Sequence, residues 1–253
     1  MQIGKHSRKL AELRKAIRQG TLTPDGLLPV EGPILLEEAQ RSRMEIVEVF
    51  VRHGTQITVR SGMRVHELPS DLFKAIQETE HSQGVIATVR PQQFGLAEVL
   101  GRSPALLVVL GRLQDPGNVG TILRISEAFG ATGCIALTGT AGFYNSKVVR
   151  ASAGSLFRLP HVGGVDLEDI VRILKSKNIR LVGTAPASEA TIEKWNWRTP
   201  AAVFIGNEGS GLTGAELASC DTVLRIPHNP AVESLNSAIA TAVILYEASK
   251  QRR

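Results

Sequence analysis

"ALLVVL" (105–110), followed almost at once by "LQDPGNVGTILRISEAFG" (113–130), is the stretch that decides the fold. An unbroken apolar run is how a strand buried on both faces reads, since alternation would mark one wet face. Asp115-Pro116-Gly117-Asn118 then marks a turn, and Ile122, Ile125 and Phe129 keep one face of a helix behind it. The pattern recurs downstream in "CIALT" (134–138), "LVGTA" (181–185), "AVFIG" (202–206) and "TVLRIP" (222–227), each followed by turn residues and a helical stretch. The sequence therefore predicts an α/β fold over 105–253, a mostly parallel sheet with helices on both faces. One residue sits oddly in it. Arg124 stands at the edge of an otherwise apolar helix face.

Residues 1–95 read differently, as a small α/β module. A basic amphipathic helix comes first: residues 1–20 hold Lys5, Arg8, Lys9, Arg14, Lys15 and Arg18 against one acid, Glu12, while Leu10, Leu13 and Ile17 share a face. "VEGPILLEEAQRS" (30–42) reads as a helix, "EIVEVFV" (45–51) as a strand, "QITVR" (56–60) and "RVHELP" (64–69) as short strands. "SDLFKAIQETE" (70–80) reads as a helix capped by Ser70, and "GVIATVR" (84–90) as a strand. Nothing here gathers His, Cys or carboxylates for chemistry, so the module reads as a recognition domain. "PQQFGLAEVLGRSP" (91–104), bounded by Pro and Gly, reads as a linker, with 96–104 its core.

Composition narrows the class. The chain has 253 residues, 43% apolar, with a net charge of +5, which suits a polyanionic partner. Aromatics make up only 4%, against a single-strand binder built on stacking platforms, so any RNA contact should run to phosphates and shape. No apolar run reaches membrane-spanning length and no signal-peptide pattern opens the chain, so a cytoplasmic protein with no membrane partner is expected. Cys134 and Cys220 are far apart and outside any CxxC, which indicates neither a disulfide framework nor a metal site.

In a parallel sheet, ligands bind beyond the carboxyl ends of the strands. Those ends lie at 111–120, 138–147, 184–190, 206–211 and 227–236. None carries G-x-G-x-x-G or a Walker A sequence, which disfavours nicotinamide and nucleotide-triphosphate enzymes. "GNEGSGL" (206–212) is Gly-rich with one charge, Glu208, and so suits a neutral or cationic ligand better than a phosphate. In "RIPHNPAVESLNSAIATAVILYEASK" (225–250), a Pro-bounded loop leads into a helix that Ser234 is placed to cap. Ala238, Ala240 and Ala242 leave that helix open to close packing by the chain itself or a second subunit.

Three segments taken together say more than any one: N-x-G-x-x-x-R (Asn118, Gly120, Arg124), G-N-E-G-S-G (206–211) and I-P…S-L-N (Ile226-Pro227, Ser234-Leu235-Asn236). In this order they closely resemble the motifs of the SpoU (TrmH-type) RNA ribose methyltransferases of the SPOUT superfamily. "SKVVRASAGSLFRLP" (146–160) resembles that family's connecting segment, and "VEGPILLEEA" the ribosomal-protein-like substrate-binding domain that rRNA-directed members carry in front. His228-Asn229 and Ser126-Glu127 depart from the usual pattern.

The resemblance implies methyl transfer from S-adenosylmethionine to a ribose 2′-hydroxyl, a trefoil knot in the C-terminal chain and a homodimer. It implies that Thr184, Ala185, Gly206, Asn207, Gly209, Ile226 and Leu235 hold the cofactor, and that Asn118, Arg124, Glu208, Ser234 and Asn236 serve catalysis. Lys147 and Arg150 join Arg8, Lys9, Arg14, Lys15 and Arg18 as candidate RNA contacts, and no metal is implied. The appended front domain favours large-subunit ribosomal RNA over tRNA. A non-catalytic RNA-binding or ribosome-assembly protein on the same fold is the rival from another class.

The family's arginine is a candidate base. Neutralising a guanidinium of pKa above about 12 at pH 7 costs roughly 7–9 kcal/mol. General-base catalysis returns roughly 3–5 kcal/mol. As an unaided base Arg124 loses, so the chemistry favours a cation that grips the phosphate beside the target ribose. The plain alternative is a surface ion pair with Glu127, three residues on.

Overall fold

The computed structural model describes residues 7–59 and 62–253. In chain order its elements are α1 (Arg8–Gln19), β1 (Leu28–Glu31), α2 (Pro33–Arg41), β2 (Glu45–Arg52), β3 (Val65–Leu68), α3 (Ser70–Ile76), β4 (Val85–Arg90) and α4 (Leu96–Val99). There follow β5 (Leu106–Leu110), α5 (Pro116–Ala128), β6 (Gly133–Leu137), α6 (Ser146–Ser152), a 3-10 turn (Ser155–Phe157), β7 (His161–Val165) and α7 (Leu167–Ser176). The chain closes with β8 (Arg180–Thr184), β9 (Ala201–Ile205), α8 (Gly214–Ser219), β10 (Thr222–Leu224) and α9 (Ser237–Arg252).

The larger sheet has the order β10-β8-β9-β5-β6-β7, and every pair in it is parallel. Its central strands β5, β6 and β9 are buried on both faces, and the period-2 alternation splits each run between two cores. Leu106, Val108 and Leu110 of β5 pack with Ile122 and Leu123 of α5 and Ile244 and Leu245 of α9. Leu107 and Val109 pack on the other face with Val99 of α4 and Ile170 and Leu174 of α7. β7 went unread in the sequence because Gly163 and Gly164 break its apolar run.

The smaller sheet, β1-β4-β2-β3, is mixed: β4 pairs antiparallel with β1 and β2, and β3 runs parallel to β2. Several expectations are corrected here. The helix read over 30–42 starts only at Pro33, after Gly32 at φ 104; Val30 and Glu31 belong to β1. Ser70 lies inside α3, whose cap position is Pro69. "QITVR" forms no strand over its described residues 56–59, because β2 has one open edge and β3 occupies it; Arg60, like Lys5, lies outside the described residues. The linker is partly helical. Glu98 closes the start of α4 by accepting from the Gly95 N–H at 2.9 Å, and Val99 is fully buried.

The two sheets share one core, in which Leu28, Leu35 and Val89 sit with Val148, Val149 and Leu156. Ion pairs tie the same seam. Arg158 takes Glu127 of α5 at both carboxylate oxygens (2.6 and 2.9 Å) and Glu38 of α2 at 2.8 Å. Arg150 takes Glu78 at 2.7 Å. Burial pushes the carboxyls of Glu78 and Glu127 up, and the hydrogen bonds and charges of these arginines outweigh it, holding both below the usual range.

Candidate active site

Asp115 starts α5 by accepting from the N–H groups of Gly117 (2.6 Å) and Asn118 (3.4 Å), which leaves the Asn118 side chain at the carboxyl end of β5. Gly120 is required by packing. A Cβ there would lie 2.5 Å from the Val148 carbonyl oxygen and 2.6 Å from Ala151 Cβ, so α5 and α6 cross only over a bare backbone. One turn further on, Arg124 is exposed and has no hydrogen bond or ion pair among the described residues. The alternative, a pair with Glu127, does not form, because Arg158 holds both oxygens of that carboxylate.

The 206–211 loop folds back on itself. Asn207 and Gly211 exchange both backbone hydrogen bonds, at 3.1 and 2.9 Å. The Asn207 side chain accepts from the N–H of Gly209 (3.0 Å) and donates to the Arg112 carbonyl (3.1 Å), so it builds the loop. At Gly206 a Cβ would fall 2.3 Å from the Gly211 carbonyl carbon. Beneath the loop Glu216, 2% exposed, caps α8 with Thr213 and takes Arg112 at 3.2 Å. The T-x-x-E spacing of Thr213 and Glu216 is a capping-box signal that the sequence reading passed over.

The last loop places Ser234, Leu235 and Asn236 before α9. The cap is Asn236, not Ser234: its Oδ1 accepts from Ala238 N (2.9 Å) and Ile239 N (3.2 Å), the positions two and three residues into the helix that a cap must reach. Its Nδ2 donates to Asn118 Oδ1 at 3.1 Å, and Asn118 Nδ2 donates to Glu208 Oε1 at 2.9 Å. A chain of two hydrogen bonds thus joins the three motifs, though their residues lie 90 and 118 positions apart. His228 fastens this loop internally, its Nδ1 on the Ile226 carbonyl (2.7 Å) and its Nε2 on that of Val232 (3.1 Å). A neutral imidazole can donate to only one of them at a time.

Between the ends of β8, β9 and β10 lies a cleft of about 300 Å³. All seven residues expected to hold a cofactor line it: Thr184, Ala185, Gly206, Asn207, Gly209, Ile226 and Leu235. So do Glu208 and Ser234, while Asn118, Arg124 and Asn236 stand outside the lining. Glu233 and His228 line it as well and were not singled out for it, since a lone Glu or His in a loop carries no signal of its own. Among the described residues no cluster of three or more His, Cys, Asp or Glu is placed to hold a metal ion. Burial raises both thiols to about 12, which leaves Cys134 and Cys220 as packing residues. No helix of the described residues is long and apolar enough to cross a membrane.

The candidate RNA contacts divide. Arg14, Lys15, Arg18 and Lys147 are exposed. Lys9 instead holds Glu48, 5% exposed, at 2.6 Å; Arg8 pairs with Glu12 at 2.7 Å; and Arg150 is tied to Glu78. The buried Glu48 claims Lys9 for the structure, and Glu78 ties Arg150 across the seam.

Residues 105–246 match the sequence model of the SpoU rRNA Methylase family, more than half of the chain, and residues 29–95 match that for RNA 2′-O ribose methyltransferase substrate binding. The chain belongs to the SpoU rRNA methylase family. It is 31% identical over 242 residues, 95% of each chain, to the 23S rRNA (guanosine(2553)-2′-O)-methyltransferase RlmP of Bacillus subtilis. It is 33% identical to the 23S rRNA (guanosine-2′-O-)-methyltransferase RlmB of Bordetella pertussis, over 77% of this chain and 81% of that one. The SpoU methyltransferase AviRb of Streptomyces viridochromogenes, crystallised with AdoMet, superposes at a TM-score of 0.84 with 26% identity over 98% of both chains. The A. aeolicus TrmH/SpoU tRNA modifying enzyme reaches a TM-score of 0.53 with 25% identity, over 62% of this chain and 80% of its own.

Proposed function

We propose that this SpoU-family chain methylates a ribose 2′-hydroxyl of large-subunit ribosomal RNA, using S-adenosylmethionine. The observation that carries the reading is the Asn236–Asn118–Glu208 hydrogen-bond chain at the mouth of a cleft lined by every expected cofactor residue. The cleft suits that donor. Its lining is backbone-rich, it carries the carboxylates Glu208 and Glu233, and among the described residues it has no lysine or arginine, a setting for a sulfonium and an α-amino group. When bound, the donor supplies an electrophilic methyl carbon.

The rest falls to the chain. Gly206, Ile226 and Leu235 offer backbone, Thr184 and Ala185 close the far side, and Asn207 keeps the loop in shape. Asn118 has both ends of its amide fixed, which sets where a ribose can sit at the end of β5. Arg124, exposed and without an ion-pair partner among the described residues, grips the adjacent phosphate, orients the 2′-hydroxyl and eases loss of its proton. Orientation of this kind is worth about 7–11 kcal/mol in favourable cases. The knot implied by the motifs belongs to the same proposal, as the turn of chain that brings the 206–211 and 226–236 loops together.

Ribosomal RNA is favoured over tRNA by residues 29–95, which match a substrate-binding model; the tRNA modifying enzyme corresponds to only 62% of this chain. A ribosomal substrate implies a cytoplasmic enzyme. The exposed cations Arg14, Lys15, Arg18 and Lys147 are its proposed phosphate contacts. A homodimer fits the stripe of Ile239, Val243 and Tyr246 on α9, exposed at 55, 37 and 56%, at helical spacing of four and three. Val243→Glu should convert a dimer to a monomer in light scattering. The decisive experiment is a map of ribose methylation across total RNA from cells with and without the gene. One large-subunit site should disappear, and an unchanged map overturns the proposal.

A further inference from the structure

A second hollow, about 440 Å³, opens at β6 and β7, the edge of the large sheet opposite β10. It is walled by Phe94, Phe143, Tyr144 and His161, with Gly163 in its lining and Gln93 at its side. The rings of Phe94 and Phe143 stand edge-on to His161, at centroid distances of 5.3 and 4.7 Å. Its lining differs from that of the cleft. Among the described residues no Asp, Glu, Lys or Arg contributes to it, so it suits a neutral planar group rather than a phosphate or a sulfonium.

His161 gives the hollow a direction. It is 6% exposed, and its Nδ1 lies 2.9 Å from the Leu159 carbonyl oxygen, which can only accept, so Nδ1 carries the proton. Burial lowers the pKa of the ring, which keeps it neutral and leaves Nε2 as an acceptor. Nε2 has no partner among the described residues, yet it is not one of the atoms sealed from solvent. A buried imidazole therefore turns a bare lone pair toward an aromatic-walled space. Beside it β7 pairs, among the described residues, with β6 alone, and Gly163 and Gly164 leave its outer backbone exposed.

We propose that this hollow is a nucleobase subsite: an unpaired base of the bound RNA lies against the Phe143 or Phe94 ring and donates an amino or ring N–H to His161 Nε2. The proposal rests on the RNA-methyltransferase reading and deepens it. It gives the enzyme a point of base recognition at the far edge of the catalytic sheet, where stacking needs no cation.

Nucleoside 5′-monophosphates test it directly, with ¹⁵N NMR of the histidine rings as the readout. At about 10 mM, above the millimolar Kd that one stacked and hydrogen-bonded base can reach, at least one of AMP, GMP, CMP and UMP should move the His161 Nε2 resonance. Gly163→Leu should abolish that shift. A Cβ at 163 would meet Phe143 only at 3.5 Å, an ordinary contact, so the side chain fills the hollow without breaking the strand. The unliganded histidine spectrum verifies that the variant folds. No shift with any of the four overturns the proposal, and so does a shift that survives in Gly163→Leu. Binding of S-adenosylmethionine by calorimetry, expected to be equal in both proteins, reports separately on the methyltransferase reading: its absence from both sinks that reading, whereas normal binding with no nucleotide response sinks only the subsite.

Discussion

In the small sheet Lys9 reaches down to the buried Glu48, and at the seam Arg150 and Arg158 hold Glu78, Glu38 and Glu127. On α5, Arg124 has no ion pair among the described residues, and at the carboxyl ends of the large sheet the Asn118, Glu208 and Asn236 side chains bond to one another and to a helix start. The difference teaches where charge is structural and where it is available. A cation paired with a carboxylate of a neighbouring element ties the fold together and is lost to RNA. Arg124, exposed on α5, has no such partner among the described residues and stays free for a ligand.

The largest effect should come from removing the guanidinium fork where it is free. Arg124→Lys keeps the charge and loses bidentate geometry, so turnover should fall about 100-fold or more while S-adenosylmethionine binding holds. Near wild-type turnover in single-turnover assays would mean that charge alone suffices. Next is the backbone of the cleft. Gly206→Ala sets a methyl 2.3 Å from the Gly211 carbonyl carbon, and backbone cannot swing aside as a side chain can. Overpacking of this kind costs about 1–3 kcal/mol, and cofactor affinity measured by calorimetry should drop roughly 10- to 100-fold.

What the sequence could disclose follows from the range of each signal. Strands buried on both faces announce themselves as apolar runs, and three short motifs, at 118–124, 206–211 and 226–236, carry the family resemblance. β7 stayed hidden because two glycines replace its apolar residues, and α4 because four residues are too few to show a period. Long-range pairing was illegible for a different reason. Glu127 is three residues from Arg124, yet its partner is Arg158, and Lys9 reaches a carboxylate 39 positions away. Helical spacing supplies a candidate pair, but only the packing of α2, α5 and the 155–158 turn decides which guanidinium arrives. The same holds for Asn236: the sequence offered Ser234 as the cap, and the path of the loop chose its neighbour.

That distinction between structural and available cations can be broken on a single helix. Lys9→Ala leaves Glu48, 5% exposed, without its main partner and should cost about 1–2 kcal/mol in urea denaturation, since an unsatisfied buried acceptor is expensive while the lysine itself is half exposed. Lys15→Ala, on the exposed face, should leave stability within about 0.5 kcal/mol and instead weaken RNA binding, lowering the salt slope by about one. If Lys9→Ala weakened RNA binding with stability intact, the reading of Lys9 as structural would be wrong.

The smallest effect concerns the neutral imidazole at the far edge of the large sheet. Burial, only partly offset by the Leu159 carbonyl, sets the folded-state pKa of His161 below the ordinary value. Above about pH 6.5 the ring is neutral in both the folded and the unfolded chain, and stability does not depend on it. Below that point the unfolded chain binds the proton and the folded one resists it. His161 therefore makes stability fall as pH falls, from about 6.5 down to its lowered folded value, at no more than about 1.4 kcal/mol per pH unit. His161→Phe removes the titration and keeps a ring against Phe94 and Phe143. In paired urea denaturations between about pH 5 and 7.5, wild type should lose stability relative to the variant as the pH drops, the other histidines cancelling in the difference. A flat difference would mean that the ring protonates in place. Below about pH 6.5 its Nε2 would then be a donor rather than an acceptor, which would reverse there the hydrogen-bond polarity on which base recognition at this edge depends.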